Sequence, residues 1–299
     1  MPAAAAARKA RPEMPVTFTL PLSAPPLSDR EAAAIVDLVR SHSGIVLSVA
    51  RKSMIEARLG RRLRQGGFAS YGDYLEFIRA APGGAGELVA LIDEITTNKT
   101  EFFRERHHFD HIARTVLPEL SRRHSGRPVH VAACCVGCST GDEPYSLAMV
   151  LNDHFTRHPG SYEVLGLDIS PTALAQAAHG VYDQDVAQYV PAEYHRYLMR
   201  GKDRQRGRVR VVPEVRATVS FAQANITDWD FRLPGGLDLI FCRNVVIYFD
   251  RQTTADLVRK FDAALAPGGH LFIGHSESLS DLTHPFLQVA PTVYLKPRG

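Results

Sequence analysis

Val129-His130-Val131-Ala132-Ala133-Cys134-Cys135-Val136 leads directly into Gly137-Cys138-Ser139-Thr140-Gly141-Asp142-Glu143-Pro144-Tyr145-Ser146. The first segment is short and apolar, which reads as a buried strand. Small residues follow, then two acids, then a proline that suits a first helical position. The order is strand, tight turn, helix. Gly137 and Gly141 allow the backbone to pass close to a ligand. No lysine follows Gly141, so this is not a phosphate-binding GxxxxGK[ST] loop, and GxGxxG is absent as well. The paired acids disfavour a bound phosphate.

The acids suit instead a ligand with a cationic group and ribose hydroxyls, such as S-adenosylmethionine (SAM). The residues downstream agree. A strand Val164-Leu165-Gly166-Leu167 ends at Asp168, a strand 218–223 leads to Asn225, and a strand Leu237 to Cys242 leads to Arg243-Asn244. Helices are expected over 108–123, 144–154, from Pro171 to Ala178, and over 251–265. A strand 270–274 and a hairpin arm 286–296 follow. Alternating strands and helices imply an open parallel α/β sheet. In such sheets ligands bind beyond the carboxyl ends of the strands. A lone Asp or Asn at a strand end is commonly a turn former. Polar groups at four successive strand ends weaken that reading.

Upstream of this alternation the pattern is helical. Ser28 and Glu31 form a capping box. Apolar residues at helical spacing follow near 50–65, from Ser70, and around Leu88, Leu91 and Ile92. The expected organisation is a flexible Ala/Pro-rich tail over 1–27, a helical domain over 28–96, a linker over 97–106, and an α/β domain over 107–299. An insertion over 181–213, with four tyrosines and a basic run, reads as a helix plus a small β-hairpin. The helix near 50–65 carries Arg51, Lys52, Arg58, Arg61, Arg62 and Arg64 against Glu56 alone. That is either a solvated face or a docking face for an acidic partner.

Composition narrows the class. The 299 residues are 45% hydrophobic, enough for a sizeable core. Net charge is +3, which does not suggest a nucleic-acid binder. Neither a membrane-length apolar run nor a signal peptide is evident. A cytoplasmic protein without membrane insertion is the expectation. Cys135-x-x-Cys138 admits a metal or redox reading. Regular strand geometry sends Cys134 and Cys135 to opposite faces, so small buried hydrophobes are the better reading. His107, His108 and His111 are expected on a helix surface, because no HExxH pattern accompanies them.

The chain resembles the CheR family of chemotaxis receptor methyltransferases. The resemblance rests on Thr97-Asn98-Lys99-Thr100-Glu101-Phe102-Phe103-Arg104, the segment Gly137 to Ser146, Leu167-Asp168-Ile169-Ser170, Phe241-Cys242-Arg243-Asn244-Val245-Val246-Ile247-Tyr248-Phe249, and Gly274-His275-Ser276-Glu277. It covers residue 28 to the end. It implies a class I SAM-dependent methyltransferase sheet, Rossmann-like, with an N-terminal all-helical domain and a small inserted antiparallel β-subdomain. Implied cofactor contacts are Asn98, Thr100, Arg104, Glu143, Asp168, Asn225, Ile226, Arg243 and Asn244. Asp168 would take the ribose hydroxyls, and Asn225 and Ile226 would border the adenine. Asp142 departs from the family's usual glutamate with its charge retained.

The implied reaction is methyl transfer from SAM to receptor glutamates, leaving S-adenosylhomocysteine. Arg104 is the candidate for orienting the incoming carboxylate, and Tyr248 for a hydrogen bond beside it. A structural ion pair and core packing are their rival roles. Implied partners are the helical cytoplasmic region of chemotaxis receptors and a receptor C-terminal peptide held by the β-subdomain. In the loop 200–207, Asp203 stands where peptide-tethering members often have glycine. A monomer is expected. A non-catalytic SAM-sensing module that docks on a receptor is the alternative.

Overall fold

A computed structural model describes residues 26–96, 99–123 and 127–298. The expected tail falls almost wholly outside them. Its last residue, Leu27, is buried, and its N–H donates to Glu56 Oε1 at 2.7 Å.

Four helices come first: α1 (Asp29–Ser43), α2 (Lys52–Gly66), α3 (Tyr71–Ala80) and α4 (Gly84–Ile95). The capping box forms as the sequence indicates. Ser28 Oγ accepts from the Glu31 amide, and Glu31 Oε2 accepts from the Ser28 amide. Ile35, Val39, Ile55, Leu59, Tyr74 and Leu91 converge in a separate core. Each such aliphatic side chain contributes about 1.5–3 kcal/mol on burial.

The next helical stretch comprises α5 (His107–His111), a π turn (Ile112–Val116) and α6 (Leu117–Arg123). Then follow β1 (Val129–Val136), α7 (Asp142–Phe155), β2 (Gly160–Asp168), α8 (Pro171–His179), β3 (Val181–Asp183), β4 (Leu198–Arg200), β5 (Arg208–Val211), α9 (Pro213–Arg216), β6 (Val219–Gln223), β7 (Leu237–Cys242), α10 (Arg251–Ala264), β8 (Leu265–Ile273), β9 (Leu287–Ala290) and β10 (Val293–Leu295). The main sheet has the order β6-β2-β1-β7-β8-β10-β9. Strands β6, β2, β1, β7 and β8 pair in parallel, and β10 is antiparallel to both its neighbours.

The chain lays β2 and β6 to one side of β1, then returns to place β7 on the other. That reversal is a topological switch point, where a crevice opens at the strand ends. Strand alternation sorts the cysteines as expected. Cys135 and Cys138 join the core beneath α7, and Cys134 and Cys242 join the one beneath α10. Burial raises all four thiol pKa values, so they stay protonated packing groups.

Several local expectations are corrected. Helix α7 begins at Asp142, so Pro144 is its third residue. Strand β2 starts at Gly160, four residues earlier than the apolar run, because its exposed first half pairs with Val129 to Ala132. The insertion forms the expected hairpin, β4 with β5, but no α-helix within 181–213 precedes it. The insertion is a three-stranded antiparallel sheet, β3-β5-β4, with 3₁₀ turns at Gln184–Gln188 and Ala192–Tyr197. Pro191 interrupts any longer helix there. His108 is fully buried, not on a helix surface. Its ring packs against Phe272, and its Nε2 lies 2.8 Å from Thr292 Oγ1.

Candidate functional site

The turn after β1 is built from backbone that few side chains tolerate. Gly137 has φ 74°, and a Cβ there would meet Val245 Cγ2 at 2.4 Å. Ser139 also adopts positive φ, at 49°. The amides of Gly137 and Cys138 both donate to the Leu167 carbonyl, which ties this turn to the end of β2. Asp168 completes the tie. Its Oδ2 accepts from the Ser139 amide at 2.7 Å and its Oδ1 from the Ser170 amide at 2.9 Å. Burial raises its pKa, and these amides pull the other way. A carboxylate offers about four lone-pair sites. With the Ile169 amide also acting on it, Asp168 keeps capacity for a ligand hydroxyl.

The two acids of the opening motif have separate tasks. Asp142 is buried and accepts from Thr140 Oγ1 at 2.7 Å, so it shapes the turn. Glu143 turns inward, where Arg243 Nη1 approaches its Oε2 at 3.1 Å. Arg243 Nη2 lies 3.0 Å from Glu105 Oε2 and also donates to the Arg104 carbonyl. The Arg243 side chain is only 1% exposed. One buried guanidinium thus serves two carboxylates, and they respond differently. Burial pushes Glu143 up to about 7 against the pull of Arg243. Burial also opposes ionisation of Glu105, but Arg243 and the His275 amide together outweigh it and lower its pKa.

The segment before α5 crosses the mouth of this network. Phe103 and Glu105 both adopt positive φ, at 52° and 54°, on either side of Arg104. Such backbone costs on the order of 1–3 kcal/mol per residue and persists only where surroundings enforce it. Here the Phe103 amide donates to Ser146 Oγ, and its ring stacks on Tyr194 of the insertion at 5.0 Å. The Arg104 side chain makes one hydrogen bond among the described residues, Nη1 to the Lys99 carbonyl at 3.2 Å.

All of this surrounds one cleft between the helical unit and the strand ends. Of the residues singled out in the sequence, Thr100 and Arg104 line it from the linker, Glu143 from the start of α7 and Asp168 from the end of β2. Asn225 and Ile226 line it after β6, and Arg243, Asn244 and Tyr248 after β7. Asn98 lies outside the described residues. Arg51, Met54 and Ile95 close the cleft from the helical side. The Asn225 side chain is engaged by protein groups: Oδ1 accepts from Thr227, and Nδ2 donates to Asp228 and to the His42 carbonyl of α1. Two site acids were missed in the sequence. Glu105 carries no local signal beyond following Arg104. Glu277 ends the segment Gly274-His275-Ser276-Glu277 with no local sign of its role, yet four backbone amides converge on it.

The donor set fits a nucleoside with a cationic tail: a partly satisfied carboxylate at the end of β2, a buried glutamate beneath it, and an apolar wall from Ile226 and Met54. Comparison with known proteins agrees. Residues 98–295 match the model of the CheR methyltransferase SAM-binding domain, and residues 30–96 match that of the CheR methyltransferase all-alpha domain. The chain is 40% identical over 270 residues to a chemotaxis protein methyltransferase of Klebsiella aerogenes, with 90% of each chain covered. It is 39% identical over 269 residues to that of Escherichia coli K12, covering 90% of this chain and 91% of the relative. It is also 36% identical to chemotaxis protein methyltransferase 2 of Pseudomonas aeruginosa, covering 84% of this chain and 88% of the relative.

Proposed function

The chain belongs to the CheR methyltransferase family and is a SAM-dependent methyltransferase, and from that premise we propose that it methylates glutamate side chains of chemotaxis receptors in the cytoplasm. When bound, SAM supplies a methyl group already activated by its sulfonium. A glutamate acceptor, with an ordinary pKa near 4.3, is ionised at pH 7. No general base is needed. One carboxylate oxygen forms a bond to the methyl carbon as the carbon–sulfur bond breaks. The sulfonium charge and the carboxylate charge cancel, and no proton moves. The products are a glutamate methyl ester and S-adenosylhomocysteine.

The protein's task is then alignment and exclusion of water. Alignment can supply roughly 7–11 kcal/mol of a barrier. Asp168 would hold the ribose, Glu143 the cationic tail, and Asn225 and Ile226 the adenine edge, with Asn98 and Thr100 closing over it. Arg104 would orient the acceptor carboxylate, and Tyr248 would donate beside it. The observation that carries this reading is the contrast between two arginines at one cleft. Both Nη atoms of Arg243 are taken by Glu143, Glu105 and the Arg104 carbonyl, while Arg104 lines the cleft with a single acceptor among the described residues. A planar guanidinium with free N–H pairs suits bidentate recognition of a carboxylate.

The enzyme is read as a monomer whose α2 face meets the acidic methylation region. The inserted sheet offers the edge strand β4 to a receptor C-terminal peptide. Asp203, in that loop, has φ 48°, a conformation that favours glycine. Among the described residues no helix is long and apolar enough to cross a membrane.

Labelled SAM and receptor-containing membranes test the reading. Base-labile methyl incorporation is expected, with Arg104→Ala lowering the rate by roughly 100-fold, the scale of lost substrate positioning. SAM binding without incorporation into any receptor would instead favour the sensing module.

A further inference from the structure

The turn Gly274-His275-Ser276-Glu277 closes β8 beside the cleft but lines no part of it through Glu277. Glu277 is 6% exposed and has no ion-pair partner among the described residues. Its charge is met by backbone alone. Oε2 accepts from the amides of Asn244, at 3.0 Å, and Gly274. Oε1 accepts from those of Val245, at 2.8 Å, and Val246, at 3.0 Å. Two adjacent strand ends, β7 and β8, are thus clamped on one anion. Hydrogen bonds to an ionised acceptor are about twice as strong as neutral ones.

The clamped segment needs holding. Asn244 sits at φ 59°, a left-handed conformation for a residue that has a side chain. Val245 fills the space that a Cβ on Gly137 would need. The Val245 carbonyl then accepts from the Tyr248 amide at 3.1 Å, which closes the 3₁₀ turn Val246–Tyr248. The path therefore runs from the Glu277 carboxylate to the backbone of 244–246 and on to the direction of Asn244 and Tyr248.

We propose that Glu277 is a positioning residue for methyl transfer, fixing the Asn244–Tyr248 turn so that its side chains face the acceptor half of the cleft. This rests on the methyltransferase reading given above. Cofactor anchoring on Asp168 and Asn225 belongs to other strand ends, and Asn244 is the one implied cofactor contact that the clamp itself holds.

Glu277→Gln tests it. The amide keeps the volume but turns N–H groups toward backbone N–H groups. Three readouts are taken on the full chain: calorimetric binding of S-adenosylhomocysteine, steady-state methylation of receptor membranes, and hydrogen exchange across 243–249. Exchange in that turn should rise while that of β1 and β2 is unchanged. Cofactor affinity should fall by no more than about tenfold, through Asn244, while kcat falls by roughly 100-fold, as for a misplaced reacting group. Glu277→Asp, which keeps the charge on a shorter arm, should recover part of the rate; it takes the place of the Gln variant if that does not fold. Unchanged exchange at 243–249, a kcat within about threefold of wild type, or a loss carried wholly by cofactor affinity would overturn the proposal. If the wild-type chain labels no receptor glutamate, the functional reading fails. The exchange and calorimetry readouts then still decide the clamp: raised exchange with affinity kept to within about tenfold upholds it, and unchanged exchange sinks it.

Discussion

Arg243 and the arginines of α2 are the same residue type in opposite circumstances. Arg243 is 1% exposed and lies within 3.1 Å of both Glu105 and Glu143. On α2, Arg61 pairs with Glu94 at 3.2 Å while 67% exposed, and Arg62 makes two bonds to Glu87 at 2.6 and 2.7 Å. Lys52 reaches Asp29 at 2.8 Å, and Arg58 spans the carbonyls of Glu94 and Thr96 at the end of α4. Burial, not the number of charges, separates the two groups. Removing one partner of a buried pair leaves an uncompensated charge, whereas exposed pairs contribute about 0–1 kcal/mol. The run that looks most electrostatic in the sequence is largely spent holding α2 to α1 and α4. The lone arginine after β7 organises the cleft.

The strongest test of that contrast is Arg243→Met. It keeps most of the apolar volume and strands two largely buried carboxylates, 11% and 13% exposed. A loss of about 3–5 kcal/mol is expected at pH 8. The loss should be smaller at pH 6, because Glu143 is already inclined to take up a proton and would then be neutral. Denaturant unfolding at the two pH values measures both. A loss below about 1 kcal/mol at pH 8 would put Arg243 in the same class as the surface pairs.

Next in size is the response of ligand binding to pH. Glu143 is raised from an ordinary 4.5 to about 7, by burial first. The folded protein therefore binds a proton there that the unfolded chain has lost. Taken alone, this group makes stability fall as pH rises from about 4.5 to about 7. A cationic ligand tail favours the ionised form, so binding should release that proton. SAM affinity should increase by roughly tenfold between pH 6 and pH 8, the change in the ionised fraction of a group with pKa near 7. Glu143→Gln should flatten the profile. Calorimetry in two buffers of different ionisation enthalpy reads the proton directly. A flat wild-type profile would separate Glu143 from the ligand and leave it as a structural partner of Arg243.

What the sequence disclosed follows the range of the interactions. Asp168, Asn225 and Arg243-Asn244 were legible because each ends an apolar run, a pattern visible within a few residues. The cysteines were legible because strand alternation is local. His108 was misjudged because what covers it, Phe272 of β8 and Thr292 of the β9–β10 turn, comes from far along the chain. The third strand of the insertion was missed because β3 is three residues long and pairs with Arg208 to Arg210. The α2 charges were miscounted in effect, since Glu87 and Glu94 lie a helix and more away. Glu277 stood in view inside a motif. Its four donors are backbone amides, which carry no sequence signature at all.

The smallest effect expected is on the α2 face itself. Arg61 and Arg62 are occupied by Glu94 and Glu87, whereas among the described residues no acidic group pairs with Arg64, which sits in the last turn of the helix. If α2 meets an acidic receptor segment, Arg64→Glu should raise the KM for receptor membranes by about two- to fivefold and leave kcat unchanged, as for a charge at the rim of an interface. The effect should fade with added salt, because the Debye length falls from about 10 Å at 0.1 M to 3 Å at 1 M. Arg61→Ala is the control: its pair with Glu94 is internal, so it should cost about 0–1 kcal/mol of stability and leave the receptor KM alone. Equal effects of the two substitutions on KM would erase the distinction between spent and available charge on this helix. An unchanged KM in both would leave α2 a solvated face and move the receptor's docking surface elsewhere on the molecule.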